Sequence, residues 1–219
     1  MWYRIKLMSN KQVMAGAFLL SLLFYFIALI IELNFIFTDS YYFDNYSIRT
    51  AEEIFQLMNV DRKGNWINFI YLPFHILIPA LAFSLFLYIT FYLLKPAQDI
   101  FVCFKIALIS QIVYALNYFA TVLIKISNIL PVNYTNVNDL YEYQSIVTFF
   151  TKMNLPDWAI YPLSKLNIAE LVYFVFLIIL IIVCTKCRIS KAVIIATVSF
   201  LFFMITIITI VLYLQILYR

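Results

Sequence analysis

Glu32, His75, Lys125 and Glu170 are ionisable side chains set in stretches that are otherwise almost wholly apolar. A charge in such surroundings is costly unless it is paired or reaches water. Lys125 can bridge Glu32 or Glu170, and His75, whose charge changes near neutrality, can adjust such a pair with pH. Alternatively, these side chains snorkel to the headgroup layer. Around Lys125 the spacing is informative. Ser110, Gln111, Tyr114, Asn117, Tyr118, Thr121, Lys125 and Asn128 fall on one third of a helix, and Ile112, Leu116, Phe119, Ala120 and Leu123 fill the rest. Such a stripe serves interhelical hydrogen bonding, or it lines an aqueous path or ligand groove. Glu32, His75, Gln111, Asn117, Lys125 and Glu170 form the candidate polar core.

Other chemistries lack their residues. Cys184-Thr-Lys-Cys187 has redox or zinc spacing, but zinc takes four ligands and no histidine near that end completes the set. A single histidine excludes an HExxH metalloprotease and makes a Ser/His/Asp triad improbable. Gly16 and Gly64 are the only glycines, which excludes a P-loop, a dinucleotide fingerprint and a GxxxG seam. No aspartate falls inside an apolar block, so the paired acids of an intramembrane protease are missing. No catalytic residue, cofactor or metal is expected, and the chain reads as non-enzymatic. The net charge of +4 comes from basic residues at helix ends, so no direct nucleic-acid binding is expected.

The elements that must position this core are membrane spans. Of 219 residues, 65% are hydrophobic and 12% charged, against about 25% charged in a soluble domain. The apolar residues come in five blocks, 13–37, 67–94, 101–130, 168–185 and 193–218. Each is about the length that crosses a hydrocarbon core of about 30 Å. The expected fold is all-α, a polytopic bundle of about five transmembrane helices forming one domain over 1–219. The first block follows Arg4, Lys6 and Lys11 without a small-residue cleavage site and reads as an uncleaved signal anchor.

Basic residues collect at the N-terminus, after the second block (Lys95, with Lys105 nearby) and after the fourth (Lys186, Arg188, Lys191). Most acids lie in the long connections 38–66 and 131–167: Asp39, Asp44, Glu52, Glu53, Asp61, Asp139, Glu142 and Asp157. By the positive-inside rule the N-terminus is inside and both long connections are outside. Counted along helices from the basic ends, Glu32, His75 and Lys125 lie at about 30 Å, with Glu170 somewhat deeper, so all four share an outer layer. All three cysteines fall at the inner ends of spans, where no disulfide framework is expected. Ala17, Ser21, Tyr25, Ala28 and Glu32 form a small and polar face on span one, which suits close packing against span three.

The two long connections read alike. Thr50-Ala-Glu-Glu53 is a capping box opening a short helix with Ile54, Leu57 and Met58 on one face. Residues 139–153, at helical spacing, group Leu140, Tyr143, Ile146, Val147, Phe150 and Met153. Each is expected as an amphipathic helix on the outer membrane surface. Each connection also closes with Met-Asn, a Trp and a Tyr near a Pro: Met58, Trp66, Tyr71 and Pro73; Met153, Trp158, Tyr161 and Pro162. That parallel suggests a duplicated helix–loop–helix hairpin with a fifth span appended.

The stretch Leu155-Pro-Asp-Trp158-Ala-Ile-Tyr161-Pro162-Leu-Ser-Lys-Leu166-Asn167-Ile-Ala-Glu170-Leu171-Val-Tyr173 resembles a segment of small multi-span bacterial membrane proteins of unassigned role. Five spans with the N-terminus inside is also similar to the Yip-type family of membrane-trafficking proteins, although the Gly-rich spans of that family are missing. Size, span count and composition resemble the small membrane accessory proteins encoded beside type VI CRISPR nucleases, with no shared motif. These resemblances imply a bacterial inner-membrane subunit that works by protein–protein interaction or self-assembly. Its expected partners are the lipid bilayer and a protein partner or further copies of itself. A small pore or transporter lined by span three, and an accessory role in antiviral defence, are the alternatives.

Overall fold

A computed structural model describes residues 10–46, 49–94, 98–127, 145–147 and 157–217. Among them the helices run in the order α1 (Asn10–Phe35), α2 (Asp39–Asn45), α3 (Ala51–Leu94), α4 (Ile100–Ile126), α5 (Asp157–Ser164), α6 (Ile168–Thr185) and α7 (Ile189–Leu217). Five of them, α1, α3, α4, α6 and α7, are long and apolar enough to cross a membrane. The protein is an all-α bundle with the character of a multi-pass membrane protein. Its successive long helices alternate in direction. The C-termini of α1 and α4 and the N-termini of α3 and α6 therefore lie at one end, the loop end, and the C-termini of α3 and α6 and the N-termini of α4 and α7 at the other.

Helix limits follow local chemistry. Asp99 accepts a hydrogen bond from the Phe101 amide (3.2 Å) and starts α4. Asn167 does the same for α6 through the Glu170 amide (2.8 Å). Lys186 ends α6 in the left-handed conformation, φ 55°. The first span ends at Phe35, two residues early, where the Glu32 carbonyl accepts from both the Ile36 and Phe37 amides (3.0 and 3.1 Å). The third ends at Ile126 instead of residue 130, and the fifth begins at Ile189 instead of residue 193. Asn128, Arg4, Lys6, Lys95 and the Trp158 side chain lie outside the described residues.

The largest departure from the expected elements is α3. The capping box forms: the Thr50 amide donates to Glu53 Oε2 (3.0 Å), and the Glu53 amide to Thr50 Oγ1 (3.4 Å). The helix it opens is not a separate segment on the membrane surface, because it continues for 44 residues to Leu94. At about 1.5 Å per residue this spans about 66 Å, about twice a hydrocarbon core, so its first part projects beyond the apolar layer. Ile54 and Met58 are buried against Tyr42 of α2, where surface lipid was expected. Continuity is explained by what lies between 59 and 66. There is one glycine and no proline, and a lone glycine costs only about 1 kcal/mol in a helix. A Cβ on Gly64 would meet no atom within 4 Å. Gly64→Ala should accordingly raise stability by about 0.5–1 kcal/mol, measured by unfolding in mixed micelles; a loss of stability would place a break in α3 at this point.

Of the second expected surface helix, 139–153, only 145–147 are described. There Ser145 forms an isolated antiparallel bridge with Asn167, and the Ile146 amide donates to the Leu166 carbonyl (3.0 Å). This ties the connection to the start of α6.

Packing centres on α4, which touches α1, α3 and α6, its contact with α1 being the most extensive in the bundle. The α1 face of Ala17, Ser21, Tyr25, Ala28 and Glu32 is buried throughout. On α4 the described stripe residues avoid the exposed side, which Leu116, Ala120 and Leu123 occupy. The half of the bundle nearer the short turns is a dry core. Phe83, Leu87 and Phe91 of α3, Cys103, Ile106 and Ala107 of α4, Leu177 and Ile181 of α6, and Ala192 and Ala196 of α7 all have no exposed surface. Two of its hydroxyls are satisfied within their own helices, Ser84 by Leu81 O (2.7 Å) and Thr90 by Phe86 O (2.8 Å), whereas the buried Ser21 and Ser199 hydroxyls have no partner among the described residues.

Candidate functional site: polar cavities at the loop end

The loop-end half is built differently. Glu32, near the end of α1, and Lys125, near the end of α4, are brought together by the α1–α4 packing, with Lys125 Nζ 3.2 Å from Glu32 Oε1. The two side chains are only 8% and 10% exposed. The Tyr118 hydroxyl, two turns before Lys125, donates to the other carboxylate oxygen, Oε2. Glu32 is thus held by a cation and a phenol from one face of α4, and each oxygen has its own donor.

Glu170 belongs to a second cluster. It is 8% exposed, and its Oε2 accepts from the Tyr114 hydroxyl at 2.6 Å. The Tyr114 ring stacks on Tyr173 with centroids 4.7 Å apart. Tyr173 Oη lies 3.0 Å from Ser110 Oγ, and its ring meets Phe83 edge-on at 5.8 Å. This chain of contacts leads from the polar half straight to the dry core, so Tyr173 and Phe83 form its floor.

Two cavities flank these clusters. The larger, about 770 Å³, lies among α3, α4, α5, α6 and α7 and is lined by Gln111, Tyr114, Asn117, Tyr161, Lys165 and Glu170 among others. The smaller, about 660 Å³, lies among α1, α2, α3 and α4 and takes in Glu32, Asp61, Asn65, Asn68 and Tyr71. Tyr25, His75 and Tyr118 line both, forming a shared wall. Within that wall the His75 ring stands edge-on to Tyr25 at 5.2 Å, and Tyr25 lies 5.4 Å from Tyr118. His75 therefore faces both cavities without touching either carboxylate. Pro79, one turn later and also on the larger cavity, has no N–H to give the His75 carbonyl.

The six sequence candidates thus divide. Glu32 and Lys125 pair with each other; Gln111, Asn117 and Glu170 line the larger cavity; His75 stands between. Of the two partners open to Lys125 it takes Glu32, and Glu170 belongs to a separate cluster with Tyr114. Residues missed as site members are Tyr25, Tyr173, Lys165 and Asp61. Tyr25 was legible only as a helix-face position and Tyr173 only as the end of the 155–173 stretch, while Lys165 and Asp61 belong to connections whose path the pattern of apolar residues does not fix. At the loop end, burial and then the neighbouring Asp61, which also hydrogen-bonds it, push the Tyr42 phenol up to about 12. Burial and Glu170 also raise Tyr161 above its ordinary value.

The larger cavity holds charged groups of both signs, Lys165 and Glu170, and the smaller holds Glu32 and Asp61, in half-enclosed spaces that can recognise a polar group and shield it from lipid. Among the described residues no group of three or more His, Cys, Asp or Glu is placed to hold a metal ion. Cys103 is buried, and Cys184 and Cys187 are free and partly buried. No family model matches the chain, and neither a curated protein nor a solved structure is significantly similar to it.

Proposed function

We propose that this chain is a non-enzymatic integral membrane subunit of a bacterial inner membrane, acting by binding at its loop end and not by passing solute through the bundle. The observation that carries this reading is the contrast between the two halves: polar cavities at the loop end stop at a floor of fully buried apolar side chains. The two buried carboxylates are held in place, Glu32 by Lys125 and Tyr118 and one oxygen of Glu170 by Tyr114, which suits anchoring and binding better than acid–base turnover. A protein partner or a second copy of the chain completes the assembly in this reading.

The orientation proposed is N-terminus inside with the cavities facing out, since Lys186, Arg188 and Lys191 cluster at the opposite end. A periplasmic reporter fused after Arg219 should be active and one fused after Lys191 inactive; activity of both, or of neither, contradicts five spans. The second reading, a small pore, draws on the cavity lining by Gln111, Tyr114 and Asn117 of α4. Conduction would require the Phe83, Ile106 and Ile181 layer to part. Vesicles carrying the purified protein should therefore retain ions and small solutes. Flux that is abolished by Asn117→Leu at unchanged protein level would instead establish the pore.

A further inference from the structure

The larger cavity carries features that select one class of ligand. Its charged lining residues, Glu170 and Lys165, have opposite signs and lie on successive helical segments, Lys165 just after α5 and Glu170 in the first turn of α6. A simple anion meets Glu170 and a simple cation meets Lys165, whereas a zwitterion satisfies both. Around Glu170 the surroundings suit an ammonium. The rings of Tyr114, Tyr161 and Tyr173 line the same space, and aromatic faces attract cations. The amides of Gln111 and Asn117 also line it and form no side-chain hydrogen bond with another described residue, which leaves their carbonyl oxygens for N–H donors. Lys165 Nζ sits 5.4 Å from the centre of the Tyr161 ring, at the loop side of the cavity, where it can meet an anionic group.

Toward α3 and α7 the wall also carries an apolar strip that leads outward, beside His75 and Gln215. Ile78 of α3 and Phe203, Met204 and Ile207 of α7 line the cavity, and Ile78 is 61% exposed, so this wall is continuous with the lipid-facing surface. A small water-soluble zwitterion would leave that wall uncovered. A molecule with a hydrocarbon tail would cover it and extend between α3 and α7 into the bilayer. The volume, about 770 Å³, falls in the range of about 300–1,000 Å³ usual for small-molecule sites, room for a headgroup and the upper part of a chain.

We propose that this cavity binds the headgroup of a zwitterionic aminophospholipid taken laterally from the bilayer, its primary ammonium at Glu170 and the tyrosine rings and its phosphate at Lys165. The inference rests on the reading of the loop-end cavity as a binding site. It adds the ligand class and the direction of entry.

Native mass spectrometry of the full chain in mild detergent tests it, with phosphatidylethanolamine, phosphatidylglycerol and free phosphoethanolamine as probes. One phosphatidylethanolamine per chain should bind, about tenfold more tightly than phosphatidylglycerol, and free phosphoethanolamine should bind far more weakly than the lipid. Glu170→Gln should erase the preference; if that variant does not fold, Lys165→Gln should weaken retention of phosphatidylethanolamine. Equal binding of the two lipids, or a preference that survives in the folded variant, overturns the proposal. Free phosphoethanolamine binding as tightly as the lipid overturns its membrane source. Solvent labelling of a cysteine at position 117 reports on the cavity separately: labelling with no lipid preference sinks the ligand assignment alone, and absence of labelling sinks the binding-site reading beneath it.

Discussion

Lys125→Met should destabilise the protein by about 3 kcal/mol, because it strands Glu32 inside the bundle with the Tyr118 phenol as its remaining donor among the described residues. The figure follows from the cost of removing one partner of a buried ion pair, about 3–5 kcal/mol, taken at its lower end because Tyr118 still donates to Glu32. Glu32→Gln should also destabilise, since it leaves Lys125 unpaired near a half-apolar surface. The double variant should recover part of the loss, because no charge is then stranded. Lys125→Met combined with Glu170→Gln should show no such recovery, as Glu170 is held by Tyr114 and not by Lys125. Unfolding by SDS in mixed micelles gives all of these values. Additive losses in the Glu32 pair would mean that Lys125 reaches the headgroups and that the 3.2 Å contact carries no energy.

Phe83→Ala should cost about 3–5 kcal/mol, the range for removing a buried aromatic ring. Phe83 has no exposed surface and joins three helices, meeting Tyr173 of α6 at 5.8 Å and Phe203 of α7 at 5.2 Å, both edge-on. Leu85→Ala, two residues on and 56% exposed, faces away from this junction and should change stability by less than about 1 kcal/mol. Comparable losses at both positions would show that the floor of the cavity is not a packed layer.

How much of this could be read in advance depended on whether a single helix determined it. The buried face Ala17, Ser21, Tyr25, Ala28, Glu32 and the inward stripe on α4 are properties of one helix and its period, and both were visible in the residues. The choice of Glu32 over Glu170 as the partner of Lys125 depends on which neighbour α4 packs most closely, and helical spacing does not carry that information. The unbroken α3 was hidden for another reason. The polar run from Asn59 to Trp66 reads as the end of an apolar block, but polarity sets only what the helix faces, and helix continuation needs only residues that tolerate it. The wall of Tyr25, His75 and Tyr118 was hidden among 17 tyrosines and 22 phenylalanines, where no single ring is distinctive. Lys165 lies just past a short helix that opens at Asp157, beyond the reach of the span pattern, so its place beside Glu170 emerges only from the fold.

A polar cavity at the loop end gives way to a dry layer of fully buried apolar side chains. Single cysteines placed at Asn117 and Ala107 in a chain with Cys103, Cys184 and Cys187 replaced by alanine test it directly. With a membrane-impermeant thiol reagent applied from the side of the long connections, Asn117→Cys should label readily and Ala107→Cys should not. Labelling of Ala107→Cys at a rate similar to that of Asn117→Cys would reveal a continuous water path and contradict the account.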